Sequence, residues 1–309
     1  INSAASLNAT RTTELGSNVT TSGNQSYSGG ISLSTNVNLT TTNNGSVTLS
    51  SGVDGAKNLT ITTNGTGDTT ISGAVGGSTP LTGLTVTTDA FSAAAIAMAS
   101  NSAISITNAG TGSITGIVSG TGVTLTAAGS NTLTLSGVNT YTGLTTINNG
   151  ATIALSDSGS IANSSGVANN GTLSISATTS GASIITLSGA GGVALGAKTL
   201  TITNGSTTYS GVMSGTGSLT ISGGSQTLSG ANTYTGTTTV SGGTLTLGAS
   251  NVIADTSALT VSGGAFAIGT YSDTVAAVTI GTAGGSITGT TGVLTGTGYT
   301  FNNTTTATV

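Results

Sequence analysis

Seven carboxylates are the only side chains here that could serve as acids, bases or hard metal ligands near neutral pH: Glu14, Asp54, Asp68, Asp89, Asp157, Asp255 and Asp273. Two carboxyls held about 5–9.5 Å apart can hydrolyse a glycosidic bond. The seven are scattered along the chain, so only a repeating backbone could pair them. Asp255 and Asp273 are the best-placed pair, because the stretch of chain between them is close to one turn of a repeat. They are read as solvated turn residues. A weak Ca²⁺ site is the other chemistry open to them, but the Gly- and Asp-rich nonapeptide of calcium-binding repeats is missing. The chain has no His and no Cys, which removes a Ser-His-Asp triad, a thiol nucleophile, an imidazole base and a zinc finger. The expectation is therefore no catalytic residue, no metal-ligand set and no cofactor.

Six tyrosines supply nearly all the remaining chemistry. Tyr141 and Tyr234 stand in N-T-Y-T-G, and Tyr27 and Tyr209 in Y-S-G. An aromatic face suits a sugar ring, but these positions are read as structural, packing beside Gly turns. Asn139 and Asn232 recur two positions before the first pair and are expected to bond turn backbone. Gly143, Gly211 and Gly236 complete the same motifs.

Only Arg11, Lys57 and Lys198 are basic, and the formal net charge is −4. Neutralising phosphates takes several basic residues on one face, so nucleic acid is not an expected partner. The longest apolar run, Ala93 to Ala99, is far shorter than the roughly 20 residues a membrane helix needs. Since no basic and apolar leader opens the chain, it reads as a processed segment or a piece of something longer. Disorder pairs low hydrophobicity with high charge, whereas this chain has a mean hydropathy of +0.30. A folded protein solvated by hydroxyls and amides is expected.

What must position these residues is a strand repeat. Val47-Thr-Leu49, Leu59-Thr-Ile61, Leu84-Thr-Val86, Leu133-Thr-Leu135, Leu200-Thr-Ile202 and Leu219-Thr-Ile221 alternate aliphatic with Thr. Period two puts aliphatics on one face and hydroxyls on the other. Asn-Gly turns follow at Asn64, Asn149, Asn170 and Asn204. Ala93 to Ala99 fits a helix or a strand. Equivalent strands recur with a near-constant period, as from Leu133 to Ile153 and from Leu200 to Leu219. A period of about 20 residues is the signature of a solenoid.

Longer similarity lies on top of that period. Residues 134–150, TLSGVNTYTGLTTINNG, and 227–243, TLSGANTYTGTTTVSGG, agree at 12 of 17 positions. Upstream, Ile114-Thr-Gly-Ile-Val-Ser-Gly-Thr-Gly122 matches Tyr209-Ser-Gly-Val-Met-Ser-Gly-Thr-Gly217. This order of motifs resembles the autotransporter-associated β-strand repeat of type V secreted passengers and related giant surface proteins. The likeness is strongest over 209–248, good over 114–155 and weak elsewhere. It implies a right-handed parallel β-helix, passage through outer-membrane secretion machinery, and a secreted or bacterial cell-surface location.

The expected fold is all-β, a parallel β-solenoid of about 15 coils of roughly 20 residues, on the order of 70 Å long at a rung spacing of about 4.8 Å. Residues 1–30 read as an N-terminal cap or joining segment, 31–296 as the solenoid body, and 297–309 as a C-terminal joining strand. Connections are short and uniform except over 89–103, where a longer loop would fit. The expected function is a stiff extracellular structural or adhesive protein that assembles with itself into a filament or surface fibre, end to end or laterally, with surface glycans as further partners and no membrane insertion of this segment. A polysaccharide-active enzyme and an ice-binding Thr ladder are the alternatives, the latter from Thr60-Ile-Thr62, Thr85-Val-Thr87 and Thr201-Ile-Thr203.

Overall fold

The computed structural model describes residues 4–304 together with 307 and 308. Residues 1–3, 305, 306 and 309, which belong to the expected terminal segments, lie outside the described residues. The chain is all-β, with parallel sheets stacked as a β-solenoid of about 14 turns of roughly 21 residues. Two compact units divide it, residues 1–164 and 165–309.

In the first unit, one sheet runs from Leu7–Ala9 to Thr152–Asp157 and a second from Val19–Thr21 to Thr145–Ile147. A third, shorter face starts at Thr13–Leu15, Ile31–Leu33 and Val53–Asp54 and goes on through single bridges at Val75 and Ile96. Each chain turn contributes one strand to each face, so like residues fall into columns. Leu39, Ile61, Val86, Ile106, Ala127 and Ile147 form one such column, in register from turn to turn. All six are at most 1% exposed, and period-two alternation is what turns them all inward. The steps along this column are unequal, and the one from Ile61 to Val86 is the longest.

The first-unit turns in general run longer than the sequence period suggests, and that step is the extreme case. It contains a corner around Gly76–Pro80, where Gly76 has φ +67° and Asp54 Oδ1 accepts the amides of Ser78 and Thr79 at 2.8 and 2.9 Å. The segment 89–103, by contrast, is not a loop. It holds strand Phe91–Ala93 and the start of strand Ile96–Asn108. Ile96 and Met98 point inward, so the ambiguous Ala93 to Ala99 run resolves as strand.

The second unit follows the same rule. A seven-stranded sheet joins Ala182–Ile184, Leu200–Ile202, Leu219–Ile221, Thr238–Val240, Leu259–Val261, Asp273–Ile280 and Leu294–Phe301. Its inward column is Ile184, Ile202, Ile221, Val240, Val261 and Ile280, again at most 1% exposed. Beside it, Thr238 stands inward between Leu219 and Leu259, a hydroxyl in a column of leucines.

Truncating Ile221 to Ala, inward between Ile202 and Val240, should lower stability by about 2–5 kcal/mol. Thr220→Ala on the opposite face of the same strand should change it by no more than about 0.5 kcal/mol. Urea denaturation of the two variants checks this. Equal losses would contradict the inward and outward assignment.

Candidate functional site

The two N-T-Y-T-G motifs build the same buried arrangement twice. Tyr141 and Tyr234 are fully buried. Tyr141 OH meets Thr145 Oγ1 at 2.7 Å, Thr145 Oγ1 meets Ser164 Oγ at 2.9 Å, and Ser164 donates to the Gly143 carbonyl at 2.8 Å. In the second copy, Tyr234 OH meets Thr238 Oγ1 at 2.6 Å, Thr238 meets Ser257 Oγ at 3.2 Å, and Ser257 donates to the Gly236 carbonyl at 2.6 Å. A carbonyl can only accept, so the last bond sets the direction of the relay. Tyrosine donates to threonine, threonine to serine, and serine to the glycine carbonyl. Each hydroxyl is then satisfied in a core where an unpaired one would cost about 1–3 kcal/mol.

The relay explains why Thr238 can stand among leucines. It also removes these tyrosines from any role as sugar platforms, because neither ring reaches solvent. Tyr209 and Tyr27 are equally buried. Tyr209 OH donates to the Gly191 carbonyl of the preceding turn, and Tyr27 OH donates to Gln25 Oε1 at 3.0 Å.

Asn139 and Asn232 each reach three levels of the stack. Asn139 Oδ1 accepts the Val118 amide at 2.8 Å, while its Nδ2 donates to Gly137 O and Ser160 O, both at 3.0 Å. Asn232 repeats this with the Met213 amide at 2.8 Å, Gly230 O at 3.0 Å and Val252 O at 2.8 Å. One side chain thus binds its own turn, the turn before and the turn after. The motif glycines are selected by the same close stacking. A Cβ on Gly143 would collide with Val123 O, one on Gly236 with Gly217 O, and one on Gly211 with Gly191 O. None of these three has a left-handed φ, so the constraint is contact with the turn below rather than turn conformation.

The two carboxylates have different surroundings. Asp255 is exposed, whereas Asp273 is 2% exposed. Asp273 Oδ2 accepts the amides of Val252 and Ile253 at 2.9 and 3.1 Å. This corrects the reading of both as solvated turn residues: residue 273 opens a strand whose first side chain points inward. Asp68 likewise serves backbone, with Oδ1 accepting the Ala90 amide at 3.1 Å. Among the described residues no three His, Cys, Asp or Glu gather to hold a metal ion.

Thr145, Ser164, Thr238 and Ser257 escaped the sequence reading. Thr145 and Thr238 were hidden because Thr is the ordinary outward residue of these strands. Ser164 stands as far beyond Tyr141 as Ser257 does beyond Tyr234, and that shared spacing is the signal that could have found them. Gln25 and Gln226 were also missed. Gln226 Nε2 donates to Leu187 O at 2.9 Å and Thr207 O at 2.8 Å, stitching further turns of the second unit.

Burial holds the phenols of Tyr27, Tyr141, Tyr209 and Tyr234 above the usual tyrosine range. The folded state therefore keeps its phenolic protons more tightly than the unfolded chain. That stability is fully present below the unfolded value of about 10 and falls as pH rises beyond it. At about pH 8, Tyr141→Phe with Tyr234→Phe should lose about 0.5–1.5 kcal/mol per hydroxyl. Between about pH 8 and about pH 11 the double variant should lose less stability than the parent. Thermal melts at the two pH values test this, and parallel losses would contradict it. Gly236→Ala should be more damaging than either phenylalanine, since a backbone carbonyl must move.

A search of curated proteins and a search of solved structures gave no match. The passenger-associated-transport-repeat model matches residues 125–155 and 222–247, the stretches that hold Asn139, Tyr141 and Gly143 and their counterparts Asn232, Tyr234 and Gly236. The two copies of the stitched tyrosine motif thus lie in the stretches that match the passenger-associated-transport repeat, a repeat of autotransporter passengers.

Proposed function

We propose that this chain is a structural and adhesive portion of an exported bacterial surface protein, working through its stiffness and its repeated outer face. The passenger repeats and the β-solenoid fit a secreted passenger domain. The observation that carries the structural role is the use made of buried polar side chains: Asn139, Asn232, Gln226, Ser164 and Ser257 all bond main chain of a neighbouring turn. Such a core resists unwinding without any charged surface network.

Self-assembly is supported by the last strand of the seven-stranded sheet. Among the described residues Leu294–Phe301 is paired along one edge only, and Tyr299 and Phe301 are 50% and 55% exposed. Unpaired edges template further strands. A second copy is the proposed partner, with surface glycans and the export machinery as others. Electron microscopy of the purified chain should show fibres or stacked oligomers, lost on Tyr299→Lys with Phe301→Lys. Monodisperse particles at high concentration would contradict self-assembly.

An enzyme acting on polysaccharide draws less support. The groove of about 490 Å³ beside Ser92, Ser113 and Thr134 is lined by one carboxylate, Asp68, where hydrolysis calls for two.

Ice binding has one specific observation in its favour. Thr60, Thr85, Ser105, Thr126 and Thr146 stack in register in the first unit, with Thr62, Thr87 and Thr107 in a second column. In-register hydroxyls about 4.8 Å apart are too far to bond each other. A water about 2.8 Å from each would bridge them at an angle of about 118°, near tetrahedral. Thermal hysteresis that disappears in Thr62→Lys with Thr87→Lys would support this reading, and its absence in the parent chain removes it.

A further inference from the structure

Asp273 holds the position of Asn139 and Asn232 in a third, degenerate copy of the motif. The relations are the same in all three. The residue's own amide donates to a carbonyl of the next turn: Asn139 to Ser160, Asn232 to Val252 and Asp273 to Val293, each at 3.0 Å. One side-chain oxygen accepts an amide of the preceding turn, from Val118, Met213 and Val252 respectively. In the asparagines, the other side-chain atom is a nitrogen that donates to the residue two before and to the next turn. In Asp273 it is Oδ1, which is buried with no hydrogen-bond partner.

An ionised carboxylate has only acceptors to offer there. The matching carbonyls are those of Tyr271 and Val293, which are acceptors too. A proton on Oδ1 converts the repulsion into the bond that an asparagine would make. We propose that Asp273 is a protonation-controlled latch: with a proton on Oδ1 it ties the turns carrying Val252, Asp273 and Val293 together as the asparagines do, and without it that rung loosens.

The groups around Asp273 act in the same direction. Burial pushes its carboxyl up from the usual aspartate range, the Ile253, Val252 and Thr274 amides pull it back in part, and the negative charge of Asp255 adds to the rise. From the preceding turns it faces the phenol of Tyr234, and on its own and the following turn the titratable groups are Tyr271 and Tyr299, the latter donating to Leu294 O at 2.7 Å. The sign follows. Folded Asp273 binds its proton more tightly than the unfolded chain, so the latch is complete below the unfolded value of about 3.9 and is lost as pH rises through the folded one. Each tenfold gain in proton affinity on folding is a tenfold loss in the folding constant once both states are ionised.

Urea denaturation of the full chain and of Asp273→Asn, from about pH 4 to about pH 8, tests this. The variant should have the higher midpoint at neutral pH, and the gap should close toward pH 4. An infrared difference spectrum between the two should show a protonated carboxyl persisting to higher pH than free aspartate allows, a readout independent of stability. Parallel pH profiles with no such band would overturn the latch. So would a rise in the parent's midpoint on adding CaCl2 that Asp273→Asn lacks, because it would mean Oδ1 is held by a cation.

Discussion

Main-chain hydrogen bonding between successive turns is the constraint from which the rest follows. Turns that bond in parallel and in register place every residue above its counterpart. A column then has one character along its length: aliphatic inside, as in Ile184 to Ile280, or hydroxyl outside, as in Thr201, Thr220, Thr239, Thr260 and Thr279. Charge is scarce because a charged column would set like charges about 5 Å apart, which destabilises a sheet. Glycine is frequent where a corner of one turn rests against a carbonyl of the last.

Within that rule, the two stretches that match the passenger-repeat model are places where a polar group enters the core and is fully provided for. A threonine replaces a leucine in the inward column, and a tyrosine and a serine from the flanking corners satisfy it. An asparagine then fastens the corner to the turns above and below. These sites look like chemistry in sequence, with aromatic, hydroxyl and amide groups close together. In space they are sealed, and their bonds end on carbonyls of the chain itself. Asp273 shows what happens when one atom of the pattern changes while the backbone around it does not.

Much of this was legible beforehand. The alternation at Leu200-Thr-Ile202 and Leu219-Thr-Ile221 identified the strands and their inward faces, because period two admits no other reading of a half-buried strand. Equivalent positions in the two repeats pointed to Asn139, Tyr141 and Gly143 with Asn232, Tyr234 and Gly236. The missed parts have physical reasons. Inward Thr145 and Thr238 have the same residue type as the outward ladder, and only neighbours brought near by folding distinguish them. Burial of Asp273 depends on its matching Asn232, which is hidden because the stretch Asp273–Ile280 is one position shorter than Asn232–Val240. The corner around Pro80 lengthened one turn and left a register shift between Leu81 and Gly83 in the strand that follows, and nothing in the alternation of that strand marks it.

The absence of native cysteine allows a direct test of the stacking itself. Thr220 and Thr239 are in-register neighbours on adjacent turns, at a separation of about 4.8 Å that lies within the reach of a disulfide. Thr220→Cys with Thr239→Cys should oxidise to an internal cross-link, whereas Thr220→Cys with Val240→Cys, whose side chains leave opposite faces of the sheet, should remain reduced. Equal cross-linking of the two pairs, or none in the first, would contradict a solenoid of parallel turns in this register.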